Sequence, residues 1–187
     1  MSPRTKPAPA GDTLTTRQLN RALLARQMLL ARERVSPVAA VERLVGMQAQ
    51  VPRPPFAGLW TRLTDFKRED LIDLAREKKV VRATAMRGTI HLLSAADFLK
   101  LRPALADALV AGGKSIVGKQ LLGMSLEDVY QTGRQFFGDT PATFDDLRKH
   151  LEQWHPKDVV RGMAYMVRMG VPLAVIPHAA PRGRPAC

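Results

Sequence analysis

Apolar residues recur along much of the chain at spacings of three and four, and several of these runs open on a residue able to cap a helix. In TTRQLNRALLARQMLLARER, Thr15 or Thr16 caps a first helix and Gln18 completes a capping-box pattern with Thr15, while Leu19, Leu23 and Leu30 supply an expected core stripe. Ser36-Pro37 starts a second helix, and Val38, Val41, Leu44, Val45 and Gln48 continue its spacing, so that Gln48 is expected at its end. Phe56, Leu59, Trp60 and Leu63 predict a third short helix, and REDLIDLAREKK a fourth with Leu71, Ile72 and Ala75 inward. The pattern then changes. KVVRATAMRGTIHLLS is rich in β-branched residues and carries Arg87-Gly88 near its middle, which predicts two strands joined by a turn.

Further on, SAADFLKLRPALADALV reads as a connecting helix and GGKSIVGKQLLG as a glycine-rich linker. SLEDVYQTGRQFFGD begins a new helix on a capping serine, TFDDLRKHLEQW and PKDVVRGMAYMVRMG follow as two more, and VPLAVIP is strand-like. Helices followed by a two-stranded unit are the order of a winged helix, the helix-turn-helix variant whose hairpin touches nucleic-acid backbone. The expected fold class is therefore mainly α with short β hairpins, arranged as tandem winged-helix modules. A disordered leader is expected at 1–12, a first module at 13–94, a connecting helix and linker at 95–124, and a second module at 125–187. No returning strand follows VPLAVIP, because the chain runs on as HAAPRGRPAC, so this strand is expected to be an unpaired edge. Truncation, or a shifted reading frame behind the Ala-, Pro- and Arg-rich tail, would produce such a pattern.

Charge narrows the partner. The chain of 187 residues carries 29 Lys and Arg against 17 Asp and Glu, a formal charge of +12, which favours a polyanionic partner such as nucleic acid or an anionic membrane surface. A merely solubilising positive surface is the alternative. No apolar run approaches the roughly 20 residues of a membrane span and the N-terminus lacks a secretory signal core, so a cytoplasmic protein is expected. Cys187 is the single cysteine, which excludes an intrachain disulfide. His91, His150, His155 and Cys187 show no metal-ligand spacing, and neither a phosphate-cradling glycine loop nor a nucleophile motif is present, so no cofactor is expected. Lys157, Arg161, Tyr165 and Arg168 share one face of the last helix, as a phosphate-contacting surface would, or equally a solvated one. Arg53, Arg82 and Arg87 are further candidate phosphate contacts. His91 lies on TIHLL, on one face with Thr89 and Leu93, either facing a binding channel or as a structural histidine.

Gln48 and Gln50 raise a separate question. On a continuing helix two residues two apart point about 200° away from each other, whereas on an extended segment they face the same side. Pro52 disfavours helical geometry at Val51, and Pro54-Pro55 are expected to keep the following chain extended, so both amides can converge. Alternatively, Gln48 satisfies a backbone carbonyl at a helix end and Gln50 is an exposed loop residue.

LTTRQLNRALLARQMLL, VERLVGMQAQVPRPPFAGLWTRL and VVRATAMRGTIHLLSAADF together resemble the AlkZ/YcaQ-like winged-helix DNA glycosylases, from about residue 14 to about 177. Gln48-Ala49-Gln50 matches that family's glutamine-x-glutamine catalytic motif, and the stretch from Arg87 to His91 is also similar. The resemblance implies three tandem winged helices around a concave basic channel for duplex DNA, of which this chain would contain the first, most of the second and none of the third. It also implies a monofunctional glycosylase that releases alkylated or crosslinked purines, with Gln48 and Gln50 as catalytic groups and double-stranded DNA as partner. No obligate protein partner and no membrane are expected.

Such chemistry suits amides. A glycosidic bond hydrolyses through a sugar with oxocarbenium character and needs a placed water. A glutamine carbonyl accepts a hydrogen bond from that water, although it is no real base. A purine alkylated at N7 is cationic and departs as a neutral base, so no general acid is required. A non-enzymatic winged-helix regulator and an inactive glycosylase fragment remain alternatives on the same sequence.

Overall fold

Thr15 opens the first helix in the computed structural model, which describes residues 13–138 and 140–177. The expected leader at 1–12, the HAAPRGRPAC tail and Cys187 lie outside the described residues. Helix α1 (Thr16–Arg26) carries the full capping box, with the Thr15 hydroxyl accepting from the Gln18 N–H and the Gln18 side chain accepting from the Thr15 N–H. Its stripe is not a core, however. None of its residues is buried, Leu23 is 60% exposed, and Leu30 lies beyond the helix end. Periodicity identifies which face is apolar but not whether anything covers it.

Helix α2 (Pro37–Arg43) begins with the Ser36 hydroxyl accepting from the Ala39 N–H, and it ends earlier than its apolar spacing suggests. The Gly46 N–H donates to Val41 O at 2.9 Å and the Val45 N–H to Glu42 O at 2.9 Å, the paired bonds of a Schellman stop. Gln48 therefore does not sit at a helix end. It belongs to strand β1 (Met47–Gln48). Val45 occupies the left-handed position of this stop at φ +56°, where a β-branched side chain is strained. Because Val45 is largely exposed, Val45→Gly is expected to raise stability by about 0.5–1 kcal/mol. Chemical denaturation checks this, and a midpoint below wild type would mean that Val45 packing outweighs the strain.

Pro54 and Pro55 do not extend the chain either. They form the first turn of helix α3 (Pro54–Trp60), a place where the missing N–H costs nothing because that turn has no intrahelical acceptor. Helix α4 (Arg68–Arg76) follows. Met28, Ala40, Val41, Ala49, Leu59, Leu63, Leu71, Val80 and Leu92 form the first core, with Leu74 and Ala75 packed against it.

Strands β2 (Val80–Thr84) and β3 (Ile90–Ser94) make the expected antiparallel hairpin, turned at Met86–Gly88 with Arg87 at φ +56° and Gly88 at φ +72°. Strand β1 pairs with the other edge of β3. The VPLAVIP segment is not an unpaired edge: its strand β4 (Ala174–Val175) pairs antiparallel with β2, giving the order β1-β3-β2-β4. The open edge of the first hairpin thus receives the strand for which no local partner is visible in the sequence.

Helices α5 (Ala95–Ala104), α6 (Ala106–Val117), α7 (Leu126–Phe137), α8 (Phe144–Leu151) and α9 (Lys157–Gly170) build the second half. Ser94, Ser125 and Thr143 cap α5, α7 and α8 through their hydroxyls. The expected glycine-rich linker is largely helix. Gly112 and Gly113 lie inside α6, and a Cβ on Gly113 would come within 2.7 Å of Met166 Sδ, so the glycine permits close approach of α6 to α9. Helix α9 is the centre of the second core, burying Val160, Met163, Met166, Val167 and Met169. Arg102 of α5 is 5% exposed and donates to Met169 O and, at 3.3 Å, to Val171 O, placing a cation on the carbonyl end of α9.

Candidate active site and nucleic-acid surface

Extended geometry at Gln48 comes from pairing with β3, not from proline alone. Gln48 stands opposite His91, and the Ala49 N–H continues the ladder by donating to Ile90 O at 2.8 Å. Strand alternation then sorts the motif: Ala49 is 0% exposed and faces the first core, while Gln48 and Gln50 on either side of it are exposed. Gln48 lies in β1 and Gln50 in the bend two residues on, and both are exposed.

The two amides differ in what they touch. Gln50 Oε1 accepts from the Ile90 N–H at 3.1 Å, taking a bond that Ala49 O would take in an ordinary antiparallel pair. Ala49 O is engaged elsewhere, accepting from Arg82 Nε at 3.2 Å and Nη2 at 2.9 Å. Gln48 is exposed and makes no side-chain hydrogen bond among the described residues. One amide is fixed by its oxygen and the other is available.

Arg82 was a phosphate-contact candidate by charge, yet it is half-buried on β2 and reaches across β3 to β1. Burial lowers its pKa from the usual guanidinium value, without discharging a group whose pKa starts so high. His91 is 5% exposed, in one sheet row with Gln48, Ala83 and Ala174. Its Nδ1 lies 3.0 Å from Thr89 O, and since a carbonyl only accepts, Nδ1 carries the proton. This is the arrangement of a packed histidine beneath the site rather than an open channel group.

Among the other basic candidates, Arg87 is exposed at the tip of the β2–β3 hairpin and Arg53 is exposed just before α3. Lys157 and Arg161 are exposed one turn apart on α9, whereas Arg168 is half-buried with its guanidinium 4.7 Å from the Phe144 ring centroid. These cations lie at the hairpin, at the start of α3 and along α9. A cleft of about 690 Å³ lies beside β2 and β4, lined among others by Ile90, Phe137, Phe144, Arg168 and Val175, but neither glutamine borders it. Among the described residues no His/Cys/Asp/Glu group is arranged to hold a metal, and no helix is long and apolar enough to cross a membrane.

The residue that sequence reasoning assigned differently is Arg82. The signal was its phase: Val80, Arg82 and Thr84 alternate onto the core face of β2, an unusual place for a cation meant for phosphate.

The chain is mainly helical with a small antiparallel sheet, and an exposed glutamine stands on either side of a buried alanine at the β1 edge. Its fold matches Streptomyces sahachiroi DNA glycosylase AlkZ with a TM-score of 0.63 at 22% identity, over 81% of this chain and 43% of that one. The chain belongs to the family described as DNA glycosylase AlkZ-like, whose model matches residues 41–186. It spans less than half the length of the solved relative. No curated protein matches it in sequence.

Proposed function

We propose that the chain is the motif-bearing portion of a monofunctional DNA glycosylase that hydrolyses the N-glycosidic bond of N7-alkylated purines in duplex DNA. The observation that carries this reading is that Gln48 in β1 and Gln50 just beyond it are both exposed, with Ala49 anchored in the core between them. Family membership supplies the reaction class, and a formal charge of +12 supplies the attraction to a phosphate backbone.

In this reaction a water oxygen attacks C1′ of the deoxyribose as the bond to purine N9 breaks. The bonding pair leaves with the base, which departs neutral because alkylation had made it cationic, and the attacking water loses a proton to solvent. Gln48 Oε1 accepts one hydrogen bond from the water, and its negative dipole end favours the positive charge developing on the sugar. Gln50, with its oxygen accepting from the Ile90 N–H, has its N–H donors to offer the substrate. Neutral amides do this without repelling the phosphates, as two carboxylates would. Arg87, Arg53, Lys157 and Arg161 are the exposed cations offered to the backbone.

The test is release of free base from a duplex carrying N7-methylguanine, using the purified chain and a version extended at its C-terminus. Release by either one that disappears in Gln48→Ala while DNA is still bound supports hydrolysis at this site. Tight binding to one undamaged sequence without any base release would instead identify a regulator, and release only by the extended version would show that this stretch needs the remainder of the protein.

A further inference from the structure

We propose that Arg82 is a positioning residue that sets the orientation of the glutamine pair, and this rests on the glycosylase reading of Gln48 and Gln50. The inference follows from where three backbone and side-chain groups find their partners. In an antiparallel ladder Ala49 and Ile90 would exchange both of their bonds, N–H to O in each direction. One of the two is made, from the Ala49 N–H to Ile90 O at 2.8 Å. The other is replaced, because the Arg82 fork occupies Ala49 O through Nε and Nη2, and the orphaned Ile90 N–H turns to Gln50 Oε1.

Each substitution requires the other. If Ala49 O kept its ladder bond, Gln50 Oε1 would have no donor on β3 and the side chain would swing free. If Gln50 did not supply an acceptor, the Ile90 N–H would lack its partner. Arg82 thus commits the Gln50 amide to one rotamer, oxygen toward the sheet and nitrogen toward the open side, and it tethers the strand backbone at the residue between the two glutamines. The position of Arg82 suits this task and not phosphate contact. It lies on the core-facing phase of β2, half-buried, with two of its three nitrogens on a single carbonyl.

The experiment compares wild type with Arg82→Met, which keeps an apolar stem, and Arg82→Lys, which keeps the charge but not the fork. Heteronuclear NMR on the whole chain reads the Gln50 side-chain amide and the Ile90 N–H. In both variants the Gln50 amide is expected to move to the shift and exchange rate of a free glutamine, while the Ile90 N–H stays protected through a restored bond to Ala49 O. Single-turnover base release is expected to fall about tenfold or more in both variants, with DNA affinity and its salt dependence unchanged.

A Gln50 amide unmoved in both variants would overturn the proposal. So would Arg82→Lys matching wild type in rate while Arg82→Met shows a salt slope shallower by about one, since that identifies a phosphate contact. Should Arg82→Met fail to fold, Arg82→Lys decides on both readouts. Absence of base release in wild type would sink the glycosylase reading alone, because the NMR comparison still decides what Arg82 holds.

Discussion

Gln48→Ala is expected to slow base release from N7-methylguanine duplex by about a hundredfold under single turnover, while DNA affinity and its salt dependence stay at their wild-type values. The magnitude follows from the role. Removing one preorganised dipole aimed at developing charge typically costs about 10²–10³ in rate, and a neutral amide acting through a water belongs at the lower end of that range. The selectivity follows from the surroundings. Gln48 is exposed, makes no side-chain hydrogen bond among the described residues, and is held in β1 by backbone pairing opposite His91, so truncation to alanine leaves the strand and its neighbours in place. The change in folding stability should remain within about 0.5 kcal/mol. An unaltered rate with binding intact would show that Gln48 is a surface residue and that the water is placed by another group.

Gln50→Ala should behave differently. It removes the acceptor of the Ile90 N–H, so the rate is expected to fall together with the thermal midpoint, unless Arg82 releases Ala49 O to restore the ladder. Comparing the two alanine variants therefore separates an amide that acts from an amide that also holds. The identical side chains at 48 and 50 give no hint of this division. It arises from a bond made by an arginine more than thirty residues away in the chain.

What could be read locally was read correctly. Thr15, Ser36 and Ser125 each cap the helix they introduce, because a cap depends only on a hydroxyl and an N–H three residues on. The β2–β3 hairpin was visible for the same reason, since its turn is made by Arg87-Gly88 between two β-branched runs. Errors arose where a distant partner decides. Gly112 and Gly113 resemble a linker until Met166 of α9 is brought against them, and VPLAVIP lacks a mate until the free edge of β2 is placed beside it. The stripe of Leu19 and Leu23 predicts burial that no neighbouring element among the described residues provides.

The error at the site itself had a different cause. Val45 continues the helical spacing of Val38, Val41 and Leu44, and a valine is a poor candidate for a left-handed stop, so the apolar spacing predicts a helix that runs on to Gln48. Gly46 was the competing signal, because a glycine just past the last periodic residue ends helices. The stop takes in both residues, Val45 at φ +56° and Gly46 at φ +93°, and its first member is a valine that continues the apolar spacing, which masks the glycine. Both glutamines are exposed about a buried alanine, and the extended backbone at Gln48 rests on strand pairing instead of on Pro54 and Pro55.

Gly46→Ala is expected to destabilise the fold by about 3 kcal/mol and lower the thermal midpoint by roughly 10 °C. Gly46 has φ +93°, and a Cβ there would lie 2.4 Å from Leu93 Cδ2 and 3.0 Å from Leu92 O. The left-handed backbone costs an L-residue about 1–2 kcal/mol, and overpacking a filled site adds about 1–3 kcal/mol. Leu93 is 1% exposed, so its side chain has little room to yield, and the Leu92 carbonyl belongs to the strand that pairs with β1. Relief must therefore come from moving the chain at Met47, the residue before Gln48. The control is Gly118→Ala, where a Cβ meets nothing within 4 Å and the backbone is already helical at φ −59°, and no loss of stability is expected. If Gly46→Ala melts with the control, the entry into β1 is slack enough to absorb a methyl group. In that case Gln48 is not held at a defined height above the sheet, and the hundredfold effect expected of its removal loses the preorganisation on which it depends.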